Sequence, residues 1–302
     1  MWRHALIVAF AAMFQLSITQ AADLREMPRG ADNRYNVGIE GPIVRGDYAK
    51  LTAIIKRRQE FPYFVSVKSP GGDVKEAMAV GRLVRKALLV VSPHEPCNSA
   101  CALIVFASMV NMDWDDDTVV GIHRPIYDPS YFAGLSFSEA HEKTRQLDRE
   151  VRDYLKEMDV PTDIADRMMA VPSNEVFYLS MSAYRDHVGV NPPAVFEWLK
   201  SKCGAHDPKE LEDIRNAAAY ELYNVKGADE VWKKRYRDRA RLGAMLSPGY
   251  RDYLRQSNRK LSACQEKAIE EERRRILPRG GHVSNGSEWE VVEDIPATPP
   301  IK

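Results

Sequence analysis

The sequence predicts an α/β protein with a largely parallel sheet wound by crossover helices, followed by a helical extension. Three observations predict it. Short β-rich runs alternate with segments of helical period between residues 36 and 158, the pattern that gives a parallel sheet. Two strand-like runs end in small-residue turns, Ser69-Pro70-Gly71-Gly72 and Gly121-Ile122-His123, where sheets of this kind bind ligands. Beyond Pro192-Pro193 the composition changes to helix formers and charge.

Taken in order, residues 22–34 read as a polar leader and 36–40 as a short strand. Gly41-Pro42 then turns the chain into a helix over 45–60, where Tyr48, Leu51, Ile54 and Ile55 recur at helical spacing. Residues 64–67 form a second strand. Asp73 stands where a helix N-cap is wanted, and Ala77, Val80, Gly81 and Val84 give the following helix its apolar face. A third strand covers 88–91. Residues 99–107 are apolar enough for a buried helix, 119–122 form a strand, and 137–158 an amphipathic helix. Three charged helices are expected over 208–223, 229–245 and 249–275, broken at Gly227 and Pro248-Gly249. Residues 265–275 read as a solvated helix face rather than a partner-binding arm. From 277 on, glycine, proline and acidic residues suggest a disordered tail. The expected divisions are thus 1–21, 22–193, 194–276 and 277–302.

Arg3 and His4 precede an apolar stretch over residues 5–14, and Thr19-Gln20-Ala21 supplies small residues, so a signal peptide cleaved after Ala21 or Ala22 is expected. The mature chain is then periplasmic or secreted. In an oxidising compartment the four cysteines tend to pair, and Cys97–Cys101 with Cys203–Cys264 is one of three pairings. Basic and acidic residues balance at 43 each, so no overall field draws nucleic acid or an anionic membrane.

The chemistry centres on Cys97-Asn98-Ser99-Ala100-Cys101, a small-residue turn at the mouth of the buried helix. A serine there is reachable, and the following N–H is free to hold an oxyanion. His123, at the end of the next strand, is the candidate base. Gly71 or Gly72 offers the second donor beside Ala100, since residues lacking a side chain let backbone N–H groups point at a bound oxygen. Each has a plainer reading: Ser99 as a helix cap, His123 as a structural histidine, the glycines as a tight turn. His94, Cys97, Cys101 and His123 are zinc-binding types, but loose spacing and cysteine pairing argue against a metal. Asp113, Asp115, Asp116 and Asp117 lack the spacing of a calcium loop. No cofactor is expected.

Ser-Pro-Gly-Gly-Asp-Val, the Ser99 turn, and Gly-Ile-His-Arg-Pro about two dozen residues on resemble the proteolytic subunit of the Clp protease and its crotonase-like relatives. With the leader and Cys-Asn-Ser-Ala-Cys, the chain resembles more closely the periplasmic Clp-protease-like proteins of proteobacteria. The resemblance covers residues 36–190. It implies a crotonase-like core of repeated β-β-α units, Ser99 as nucleophile, His123 as general base, and Gly71 or Gly72 with Ala100 as oxyanion hole. The family's aspartate is missing from the matching segment, residues 170–177, where Asn174 is favoured to orient the imidazole and Glu175, Asp163 and Asp166 are alternatives.

The expected function is an exported serine hydrolase cleaving short or unfolded peptides, without an ATPase partner or nucleic acid, and as a homo-oligomer of the kind its relatives form. Two other readings are a crotonase-like scaffold that binds a peptide or protein without cleaving it, and an acyl-CoA enzyme, which the export signal disfavours.

Overall fold

The structure is a computed structural model that describes residues 22–28, 34–111, 118–225 and 230–277. The leader over 1–21, the acidic turn at Asp113 to Asp117 and the tail from 278 lie outside the described residues.

The core is mixed α/β. A four-stranded sheet runs in the order β1 (Asp23–Met27), β2 (Asn36–Glu40), β3 (Phe64–Ser69), β4 (Val90–Cys97). The last three are parallel, and β1 is antiparallel to β2. The expected polar leader therefore contains an edge strand. Its hydrogen bonds come from β2, and Glu26 anchors it through ion pairs to Arg57 and Arg58. The long-range partners, rather than apolar alternation, make it a strand.

Helix α1 (Asp47–Arg58) follows β2, and α2 (Val74–Lys86) follows β3. The Asp73 carboxylate caps α2 by accepting from Glu76 N–H at 2.9 Å. Glu76 in turn accepts from Gly46 and Tyr48 N–H at 3.0 and 2.6 Å, which holds the two helix starts together. Val74, Ala77, Val80, Gly81 and Val84 face the core as their spacing requires.

Strand β4 runs past the expected end at 91 to Cys97, through Pro93 and Pro96, whose missing N–H groups make this stretch read as loop. It leads directly into α3 (Ala100–Phe106), every residue of which is buried. A bridge from Asn98 to Gly121 then carries the sheet on, in parallel sense, to β5 (Val119–Ile122). β5 pairs antiparallel with β6 (Phe177–Ser180), a strand that the short exposed segment does not announce.

Helix α4 (Phe137–Glu157) starts on a capping box between Ser136 and Glu139. It buries Leu147, Val151, Tyr154 and Leu155 against the core. The Tyr154 hydroxyl donates to Leu103 O at 2.7 Å, tying α4 to α3. Burial pushes the pKa of that phenol well up from its ordinary value. Arg85 donates to Phe106, Ala107 and Met158 carbonyls and pairs with Asp159 at 2.8 Å, so one guanidinium satisfies the ends of two helices. Helices α5 (Thr162–Ala170) and α6 (Met181–Val188) flank β6.

The C-terminal region is helical as expected: α7 (Pro193–Cys203), α8 (Pro208–Tyr223), α9 (Glu230–Met245) and α10 (Pro248–Ile276). The Cys203–Cys264 disulfide joins α7 to α10. Arg273, near the end of α10, donates to Ala87 and Leu88 carbonyls at 3.0 and 2.7 Å. The extension is thereby clasped to the amino end of β4, opposite the strand ends that carry the serine turn. Burial of the Arg273 guanidinium holds its pKa at about 10.

Candidate active site

Three loops from separate parts of the chain meet at the carboxyl ends of β3, β4 and β5. Asn98 N–H donates to Ser69 O at 3.0 Å, and Ser99 N–H donates to Gly121 O at 2.8 Å. The serine turn is therefore stitched to the glycine turn on one side and to the strand leading into His123 on the other.

Ser99 is the N-cap residue of α3, with φ 57° and ψ −124°, and its side chain caps nothing. A non-glycine residue at positive φ costs energy and persists only where its surroundings enforce it. Here the enforcement is visible: Ser99 N–H is committed to β5, its carbonyl accepts from Ala102 N–H at 3.0 Å, and buried Cys97 and Cys101 are joined by a disulfide across the turn. That disulfide also removes the two thiolates that a zinc site would need. Ser99 is half-buried, at the exposed end of a helix that is otherwise fully inside.

Gly71 and Gly72 have φ of 110° and 143°, values that favour glycine. A Cβ on Gly71 would stand 2.6 Å from Ser99 Cβ and 3.2 Å from Ala100 N, so the glycine turn lies directly on the serine turn. On Gly72 it would collide with the Ile43 backbone. The Gly71 N–H is already taken, donating to Ser69 Oγ at 3.1 Å, while that hydroxyl donates back to Gly71 O at 3.2 Å. Gly71 O also accepts from Ile43 N–H at 2.8 Å. By contrast, neither Gly72 N–H nor Ala100 N–H has an acceptor among the described residues. Of the two glycines, then, Gly72 has the unengaged donor and Gly71 supplies the space. Ser69, not singled out from the sequence, is the buried side chain that locks the turn. Its position two residues before Gly71 was the available signal.

His123 is 8% exposed and follows β5 directly. Its Nδ1 lies 2.8 Å from Arg124 O, and Arg124 N–H donates to Val171 O at 3.0 Å, which fixes that peptide. An Nδ1–H donated to a carbonyl leaves Nε2 as the basic nitrogen. Asn174, expected to orient the ring, is exposed, and no hydrogen bond joins it to His123 among the described residues; the same holds for Glu175. Asp163 faces His187 at 3.3 Å and Asp166 pairs with Arg152 at 2.6 Å, so both are engaged elsewhere. The acceptor described for His123 Nδ1 is thus a backbone carbonyl, which no side-chain pattern announces. No hydrogen bond joins Ser99 Oγ to His123 among the described residues. Free enzymes often hold such pairs loosely and tighten them around substrate.

The floor beside the turn is shaped by Asn98. Its side-chain oxygen and Val176 Cγ1 fill the space a Cβ on Gly121 would take, the latter at 2.7 Å. An open cleft lined by Glu95, Pro96, Cys97, Asn98, Val119 and Tyr178 adjoins it. Among the described residues no group of three or more metal-binding side chains is found.

No protein-family model matches the sequence, and no curated protein matches it. Among solved structures, the chain is similar to a membrane-bound stomatin-specific protease solved as a serine-to-alanine mutant, at 16% identity over 56% of this chain and 83% of that one, with a TM-score of 0.36. Likeness at that level fixes neither fold family nor activity, and the reading of this site rests on its own residues.

Proposed function

We propose that this protein is an exported serine hydrolase with a crotonase-like core, cleaving short or unfolded peptides. One observation carries the reading. Ser99 is held at positive φ with its hydroxyl uncommitted, beside two backbone donors, Gly72 N–H and Ala100 N–H, that have no acceptor among the described residues. Orphaned donors beside a strained, half-exposed serine are the equipment for binding an oxyanion, and each such donor contributes about 10²–10³-fold in rate.

In this account Ser99 Oγ attacks the carbonyl carbon as its proton passes to His123 Nε2. Gly72 and Ala100 N–H hold the resulting oxyanion. Collapse expels the amine, which takes the proton from His123, and leaves an acyl group on Ser99. A water, deprotonated by the same imidazole, then releases the acid and restores Ser99. Arg124 O keeps the ring in the useful tautomer. Being uncharged, it stabilises the imidazolium less than a carboxylate would, so turnover is slow.

Export is supported by the two disulfides and by the leader-like first residues. Among the described residues no helix is long and apolar enough to cross a membrane. Assembly into a homo-oligomer and independence from an ATPase remain part of the proposal.

The test is incubation of the folded protein with a mixed short-peptide library, read by mass spectrometry. New termini that disappear in Ser99→Ala support the reading. Identical digests from both proteins overturn it. A second reading, a cleft that binds peptides without cleaving them, is favoured by the neutral partner of His123 and by the lack of a Ser99–His123 hydrogen bond among the described residues. It predicts retention of the same peptides by wild type and Ser99→Ala alike, with no cleavage by either.

A further inference from the structure

The chain is neutral overall, yet its charge is not evenly spread. Helix α9 carries Lys233, Lys234, Arg235, Arg237, Arg239 and Arg241 against only Glu230 and Asp238. It packs on α8 through small residues: Ala240 is buried, and a Cβ on Gly243 would collide with the Asn216 backbone. So close an approach turns the cationic side outward.

The neighbouring helix does not neutralise it. On α8, Asp213 is held by Lys209 and the Tyr250 hydroxyl, each at 3.0 Å, and its carboxyl lies below the ordinary range because of the Lys209 bond. Glu221 pairs with Arg255, and Glu210 with His206 and Ser257. These carboxylates are committed to α8 itself, to α10 or to the turn before α8. Lys234, Arg237 and Arg239 are exposed, with no carboxylate partner among the described residues, whereas Arg241 makes a loose surface pair with Asp238 at 3.8 Å and Lys233 pairs with Glu230 at 2.9 Å. Apolar side chains stand beside them: Met245 is 80% exposed and Leu242 47%. Helical spacing puts Lys234, Arg241 and Met245 along one line, with Arg237 and Leu242 on either side.

From this we infer that the outward face of α9 docks on an anionic phospholipid surface. Lys234, Arg237 and the loosely paired Arg241 attract headgroup phosphates, and Leu242 and Met245 enter the acyl boundary between them. The exposed large apolar side chains described on α9, Leu242 and Met245, are aliphatic, and Tyr236 is half-buried, which favours lipid over nucleic acid, whose single strands need exposed stacking platforms. The face lies on the extension, not among the residues of the serine site, so docking is independent of the proposed hydrolysis.

The experiment is co-sedimentation of the full chain with vesicles of phosphatidylglycerol and phosphatidylcholine, against vesicles of phosphatidylcholine alone. Expected are binding to the anionic vesicles only, weakening as salt rises, and at least about tenfold weaker binding by the Lys234→Glu, Arg237→Glu, Arg241→Glu variant. Leu242→Ser with Met245→Ser weakens binding while leaving its salt dependence in place. Circular dichroism and thermal midpoint establish that each variant is folded, and Arg237→Gln with Arg241→Gln serves if the charge reversals unfold. The inference is overturned by no binding to anionic vesicles, by equal binding to neutral ones, by unchanged binding of the charge variants, or by tighter binding to a DNA duplex than to the anionic vesicles.

Discussion

Gly71 and Ser99, far apart in the chain, touch: a methyl group on Gly71 would lie 2.6 Å from Ser99 Cβ. The contact explains why the glycine turn and the serine turn act as one structure. Gly71→Ala places a Cβ at φ 110° and presses on Ser99, Asn98 O and Ala100 N together. The expected cost is about 1–3 kcal/mol of stability, with loss of serine reactivity. Thermal unfolding and labelling of Ser99 in the same preparation check it. Unchanged labelling at unchanged stability would show that the two turns are not in contact.

The hydroxyl of Tyr154 holds the buried serine-bearing helix by donating to Leu103 O. Tyr154→Phe leaves that carbonyl without this donor inside the core, and a destabilisation of about 1–2 kcal/mol is expected. Gly81→Ala is expected to cost more, because its new methyl would overlap the Tyr154 hydroxyl. Chemical denaturation of the two single variants and the double variant measures both, and the double variant should be less than additive.

Cys203–Cys264 closes a sequence separation of 61 residues that spans α8 and α9. On chain-entropy grounds a loop of that size corresponds to about 4 kcal/mol. Cys203→Ser with Cys264→Ser should therefore loosen the helical extension while the sheet core, braced separately, persists. Hydrogen exchange would show protection lost in α8 to α10 before β2 to β4.

Glu26 is held down to about 2 by its hydrogen bonds with Arg58 and Arg57, against an ordinary value of 4.5. A carboxylate depressed in the folded state adds stability that is complete above its unfolded value and disappears as pH falls toward its folded one. The β1-to-α1 link should therefore weaken between pH 4.5 and about 2. Glu26→Gln removes that contribution at neutral pH and flattens the acid limb of the stability profile over the same interval.

Much of the core was legible because its signals are local. The spacing of Ala77, Val80 and Val84, the cap at Asp73 and the wholly apolar run after Ser99 each depend on neighbours in sequence, and each lies where that spacing puts it. The parts not legible depend on distant partners. β1 is a strand because β2 and the arginines of α1 receive it, and β6 because β5 does. The candidate site divides in the same way. Ser99, His123 and the glycines carry side-chain or backbone signatures, whereas the acceptor for His123 Nδ1 is a main-chain oxygen, a group every residue has. Asn174 has a side chain that a sequence can show, whereas the hydrogen bond described for His123 Nδ1 runs to the Arg124 carbonyl.

Asn174→Ala should accordingly leave Ser99 reactivity within about twofold, since the imidazole is oriented by Arg124 O. A loss of tenfold or more would return the orienting role to Asn174.

The most direct measurement is the intact mass and mapped position of an adduct formed with a fluorophosphonate. An activated serine displaces fluoride and keeps the phosphonyl group, so one adduct per chain on Ser99 is predicted, absent from Ser99→Ala and strongly slowed in His123→Ala. A folded wild-type chain that gains no adduct, or gains one at another serine, would contradict the account.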